Sequence, residues 1–148
     1  MSFQFRFASI LQLRMRERDV AASAVEEVMR AMTLLDSQLE RTQAELHELD
    51  EQRKHSSTGK VAISSLLDLQ RHQLILIGHT QHLKQQRSTL EQERTRREIT
   101  LTKAQQAVKS FEKLQEQQQA ESIRIEAHRL QSRLDEWSNT RVVADKGT

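Results

Sequence analysis

The chain has 148 residues, with 23 basic and 21 acidic side chains, no cysteine, no proline and only 3% aromatic residues. This composition excludes a disulfide framework and a cysteine-ligated metal. It also argues against a sheet protein, because strand and turn signals are nearly missing. The abundant Ala, Leu, Glu, Gln, Lys and Arg residues favour helices, so we expect an all-α fold built from long helices or a coiled coil.

The first predicted helix covers about residues 5–54. Its apolar residues recur in alternating steps of three and four, which is the spacing that coiled-coil pairing requires. The main line consists of Val25, Val28, Met32, Leu35, Leu39, Thr42, Leu46 and Leu49. Extended backward, this line reaches Phe7 and Leu11 but also meets Arg14 and Arg18. A second apolar line is therefore expected to take over near the N-terminus, through Ile10, Leu13 and Val20.

A polar cluster with an internal glycine predicts a turn over about residues 55–63. Ser65 followed by Asp68 resembles a capping box, so the second helix is predicted over about residues 64–142, with a frayed tail at 143–148. Its main line repeats every seven residues, through Leu69, Leu76, Leu83, Leu90, Arg97, Ala104 and Phe111.

Each helix carries one narrow apolar stripe, and an antiparallel two-helix coiled-coil hairpin would bury the two stripes against each other. We therefore predict a single coiled-coil domain over residues 1–148 with a longer second helix. Pairing about a turn near residue 60 places Phe5 opposite about residue 115, so the rest of the second helix overhangs. The overhang still carries an apolar ladder, which predicts an external partner. The ladder consists of Ala120, Ile123, Ala127, Leu130, Leu134 and Trp137.

No catalytic motif is present in the sequence. It contains no glycine-rich phosphate loop, and a two-helix rod offers no concave pocket that could shift the pKa of a carboxylate. We therefore expect no enzyme activity, no cofactor and no small-molecule substrate. His72 and His79 share a helix face while His82 lies to one side, a spacing poorly suited to a metal, so no metal site is predicted.

Nucleic-acid binding is disfavoured because acidic residues such as Glu93 and Glu98 interrupt the basic stretch around Arg94–Arg97. Phe3, Phe5 and Phe7 leave two alternatives open, a membrane-surface anchor and a cap on the open end of the hairpin. No apolar run approaches the ~20 residues that span a bilayer. The protein is expected to be cytoplasmic.

The N-terminal sequence resembles that of the FliJ family of bacterial flagellar export proteins, in the residues Phe3-Gln4-Phe5-Arg6-Phe7, Ile10-Leu11, Leu13-Arg14 and Glu17. The C-terminal part is similar to that family in Phe111-Glu112-Lys113-Leu114-Gln115-Glu116, Leu134-Asp135-Glu136 and Arg141. Chain length and the order of a shorter and a longer helix also match, so the likeness covers nearly the whole chain.

The resemblance implies a stalk-like coiled coil in the pore of the hexameric flagellar export ATPase. It also implies that the protein contacts the membrane-embedded export gate and escorts export chaperones. Such a protein would lie at the inner membrane of the flagellar base and contribute to motility. We expect the ATPase to dock on Phe5, Phe7, Leu11, Ile123, Leu130, Leu134 and Trp137. The stretch corresponding to the gate contact is Leu69, His72, Leu76, His79 and Leu83.

Two other functions stay open from the sequence. The chain could be a generic coiled-coil adaptor or a homodimeric scaffold without a secretion role, in which case it should dimerise through the ladder. Nucleic-acid binding is a third possibility, which salt-dependent binding to DNA would support.

Overall fold

The computed structural model describes residues 3–56 and 63–147. These residues form two helices, α1 (Ala8–Ser56) and α2 (Ile63–Lys146), and no strand. Cross-helix contacts join Ala24 to Arg97 and Asp36 to Arg87, so residue numbers rise along one helix as they fall along the other. The predicted all-α, two-helix antiparallel hairpin with a longer second helix is confirmed.

The helix ends differ by a few residues from the predicted ones. α1 begins at Ala8 rather than near residue 5, because the Ala8 amide first donates to the Phe5 carbonyl in a turn (3.3 Å). α2 continues to Lys146, so residues 143–146, expected to fray, are helical. Neither proline nor glycine interrupts the chain there before Gly147. Of the predicted turn, residues 57–62 lie outside the described residues.

Two compact units make up the chain. The central unit is Asp19–Thr102, and the terminal unit combines Met1–Arg18 with Lys103–Thr148. α1 and α2 each contribute to both units, because each helix is longer than its part of the central unit.

The core of the central unit is the apolar line predicted for α1. Leu83 of α2 is only 2% exposed and packs against Leu35 and Leu39, with Leu90 beside them. The hydroxyl of Thr80, which is also buried, donates to the carbonyl of Leu76 four residues earlier (2.8 Å), so it is satisfied without breaking the helix. The buried members of the α1 line are Val25, Val28, Met32, Leu35, Leu39 and Thr42.

Two arginines of α2 reach across to α1 in the central unit. Arg97 Nη1 donates to the Ala24 carbonyl (2.8 Å), and Arg87 Nε donates to Asp36 Oδ1 (2.6 Å). The hydrogen bond to the Asp36 carboxylate, with its negative charge, raises the pKa of Arg87. These directional contacts specify which residues of the two helices stand opposite each other.

The terminal unit shows that the second apolar line predicted for α1 is wrong. Ile10 and Leu13 are exposed, and so is Val20 in the central unit. The first line instead continues through buried Leu11 and half-buried Arg14. A long arginine stem can cover apolar surface while its head stays polar, and here Arg14 Nη1 pairs with Glu17 (2.9 Å).

Candidate docking surfaces

An aromatic cluster forms where the N-terminal residues meet α2 in the terminal unit. The rings of Phe5 and Phe7 meet edge to face with centroids 5.9 Å apart, and Phe7 contacts Phe111 at 6.5 Å. The Arg6 guanidinium lies 5.7 Å from the centroid of Phe7. Because Phe7 packs on α2, the contact favours the cap over the membrane anchor for this residue.

Leu11, which we expect to contribute to docking on the export ATPase, is a buried residue. Its side chain is only 6% exposed, so it lies in the interior of the terminal unit. Phe5 and Phe7 are partly exposed and keep some surface that another molecule could reach. Leu11 can support such a surface only by holding α1 in place.

The C-terminal segment, residues 120–146 of α2, carries the predicted ladder on an almost fully exposed helix. From Ile123 onward every described residue is exposed. Ile123 is 62% exposed and Trp137 is 61% exposed, and Leu130 and Leu134 are similarly open. Four large apolar side chains on one side of a solvated helix form the kind of patch that marks an interaction site.

The ladder does not continue the line of α2 that packs in the terminal unit. That line runs through Val108 and Phe111 to half-buried Gln118 and Ser122, where a shallow depression also includes Phe3 and Ile125. Ile123 lies one residue further, about 100° around the helix axis. The ladder therefore faces a different side of α2. Sequence reasoning missed Ile125 because it followed the shifted ladder alone.

The charged residues around the ladder include one close ion pair and one contact between a cation and an aromatic ring. Arg124 Nη2 and Nε donate to the two carboxylate oxygens of Glu121 (2.6 and 3.1 Å), and this hydrogen bonding lowers the pKa of Glu121. Near the end of the ladder the Arg141 guanidinium lies 5.0 Å from the indole centroid of Trp137. A ring held in this way loses less side-chain freedom when a partner covers it.

The stretch expected to contact the export gate contains both buried and exposed residues. Leu76 and Leu83 belong to the core of the central unit, and Leu69 is half-buried. The Leu76 and Leu83 side chains are therefore closed to another molecule, whereas Leu69 keeps part of its surface exposed. His72 and His79 are exposed.

A histidine face, defined by His72, Ile75, His79 and His82, lies on the exposed surface of α2. Steps of three, four and three residues place these side chains within about 80° of one another around the helix. Ile75 is 68% exposed and is the apolar member that sequence reasoning missed, because it followed the leucine heptads. The described residues include no group of three His, Cys, Asp or Glu side chains arranged to hold a metal ion.

Neither described helix contains a stretch long and apolar enough to cross a membrane. A family model described as "Flagellar FliJ protein" matches residues 3–146, which include both helices and the whole C-terminal segment. Comparison with curated proteins and with solved structures finds no match. Because the family match spans nearly all of its 148 residues, the chain belongs to the FliJ family of flagellar export proteins.

Proposed function

We propose that this chain is a non-enzymatic stalk component of the flagellar export apparatus that docks on the hexameric export ATPase through the ladder of its C-terminal segment. It also contacts the export gate and escorts export chaperones at the inner membrane of the flagellar base. Membership of the FliJ family makes it a flagellar export component. The observation that carries the ATPase proposal is the exposure of Ile123, Leu130, Leu134 and Trp137.

Energetics support a protein partner for the ladder. Burying each of its large side chains is worth about 1.5–3 kcal/mol, which helps to offset the freedom lost on association. Trp137 is the expected anchor, because buried tryptophans dominate many interfaces. The partly exposed rings of Phe5 and Phe7 belong to the same unit as the ladder and are a second apolar surface for the ATPase, on another side of α2.

The test of ATPase docking is co-precipitation with the flagellar export ATPase. A Leu130→Glu, Trp137→Ala double variant should lose most of the ATPase retained by the unmodified chain. Ile99→Glu is the matched control, since Ile99 is 53% exposed but lies in the central unit. Circular dichroism should show equal helicity for all three proteins. Undiminished retention by the double variant would refute ladder docking.

For the export gate, we propose that the contact is the histidine face rather than the buried leucines. The surface combines an exposed apolar side chain, Ile75, with three imidazoles whose ring nitrogens can form hydrogen bonds. One ring nitrogen of His82 is already within hydrogen-bond distance of Gln86 (3.1 Å). Such a mixture of apolar and polar groups is typical of interfaces that form and dissociate.

The gate proposal is tested with two neighbouring substitutions of equal chemistry. Ile75→Glu should abolish binding to the export gate, whereas Leu74→Glu, on an adjacent side of α2 and 63% exposed, should leave binding intact. Both variants should still retain the ATPase, because the ladder is unchanged. Equal losses from both substitutions, or a loss only from Leu74→Glu, would contradict the assignment.

A further inference from the structure

We propose that the ladder is also a self-association surface, on which the C-terminal segments of two copies of this chain pair in antiparallel orientation. The inference goes beyond the proposed function and needs only this chain. It rests on three observations along α2: the ladder is exposed, its large and small residues alternate in a complementary order, and the charges beside it are complementary under a twofold rotation.

The order of large and small residues fits a twofold axis between His128 and Arg129. Antiparallel coiled coils stack side chains in layers, each formed by one residue from each helix. With this axis, Trp137 lies opposite Ala120 of the second copy and Leu130 lies opposite Ala127 of the second copy. Ile123 of each copy lies opposite Leu134 of the other copy. The largest side chain thus meets the smallest, which allows the two helices to interdigitate.

Charges flanking the ladder agree with the same axis. Glu126 lies beside Arg133 of the second copy, and the rotation repeats this pair on the other side of the axis. At the two ends of the ladder Arg141 lies opposite Glu116 of the second copy. Within the described part of the chain neither Glu126 nor Arg133 forms an ion pair, so both are available to a partner.

A parallel pairing fails the same comparison. It would place Arg141 against Arg141 and Glu116 against Glu116 on the ladder itself, and like charges in such layers oppose association. It would also stack the two Trp137 side chains in one layer and leave Ala120 facing Ala120, which matches large with large and small with small. The antiparallel arrangement is therefore the one that the sequence order supports.

Self-association would cover the ladder in the absence of other partners. The paired region, from Glu116 to Arg141, is about 39 Å long at the rise of an α-helix. A second copy and any other protein that binds the ladder would then compete for it, and dilution or a tighter partner would separate the two copies.

Sedimentation of the full chain tests the proposal between about 1 and about 100 μM, where a weak helical dimer dissociates. The unmodified chain should change from monomer to dimer. Glu126→Lys creates two like-charge contacts and should raise the dimer Kd about tenfold. Adding Arg133→Glu should restore the original Kd. Asp135→Lys, the same charge change away from the ladder, should leave Kd unchanged.

Cross-linking tests the orientation, since the chain has no cysteine of its own. Gln119→Cys and Thr140→Cys lie near the two ends of the paired region, and position 119 of one copy would stand beside position 140 of the other in an antiparallel pair. A short bismaleimide should link the two variants when they are mixed and neither variant to itself. The proposal would be overturned if the chain stayed monomeric over this range, or if Glu126→Lys and Asp135→Lys altered the dimer Kd equally. It would also be overturned if Arg133→Glu did not restore the Kd of Glu126→Lys, or if each cysteine variant cross-linked to itself.

Discussion

Arg97 occupies a position on the α1-facing line of α2 where coiled coils usually carry an apolar residue. Its guanidinium donates to the Ala24 carbonyl at 2.8 Å and lies 3.1 Å from the carboxylate of Glu93 and 3.4 Å from that of Glu27. The Glu27 side chain is 74% exposed, so that carboxylate has abundant water as an alternative partner. The arginine therefore contributes more to the register of the two helices than to the free energy of unfolding.

Arg97→Leu should raise the free energy of unfolding by about 1 kcal/mol, because a leucine buries apolar surface there without desolvating a charge. Urea denaturation followed by circular dichroism measures the change. Arg96→Leu is the control, since the Arg96 side chain is 75% exposed and its replacement should change stability by less than about 0.5 kcal/mol. A loss of stability in Arg97→Leu would mean that the ion pairs outweigh packing.

Gly78 lies inside α2, and a Cβ added there meets nothing within 4 Å. Glycine weakens a helix interior because its backbone loses the most freedom on folding. Gly78→Ala should therefore stabilise the chain by about 1 kcal/mol, seen as a higher midpoint of thermal unfolding. An unchanged or lower midpoint would show that the backbone at this position is not that of a regular helix.

At the scale of the helices, spacing alone predicted most of the packing. Leu35, Leu39 and Leu83 fall on heptad lines and are buried together, because two stripes of matching period can cover each other. Spacing alone does not predict the packing of Arg14. A charged residue on an apolar line indicates a break, but the long stem of Arg14 stays half-buried at the edge of the core.

The candidate surfaces were less predictable than the core. The ladder could be found because the overhang follows from the unequal lengths of the helices. The residues that contact the export gate could not be found in this way. The family resemblance includes Leu76 and Leu83 among them but does not show which side of α2 faces α1. Ile75 lies outside the leucine heptad, and only the packed helices show that its side chain faces solvent.

Leu83→Ala is the substitution that should damage the helix pair most. Its side chain is 2% exposed and contacts the Leu35 and Leu39 cluster, so the truncation should cost about 3 kcal/mol in urea denaturation. Leu74→Ala, at 63% exposed, should cost less than about 0.5 kcal/mol. Equal costs for the two variants would contradict the assignment of Leu83 to the core.

For the molecule as a whole, the two candidate surfaces belong to different compact units. The ladder lies in the terminal unit and the histidine face in the central unit. Substitutions on one surface should therefore leave binding through the other unchanged, as expected for sites that share no contacts. Stability resides mainly in the buried lines, and the exposed surfaces can change without unfolding the chain.

The ladder is open in the free chain, and we expect a partner to cover it. Trp137 is the only tryptophan, so 5-fluorotryptophan labelling gives a single ¹⁹F resonance on the ladder. In dilute monomer this resonance should respond to solvent, and adding the unlabelled export ATPase should shift and broaden it. A resonance that stays unchanged while co-precipitation shows the complex has formed would contradict the claim.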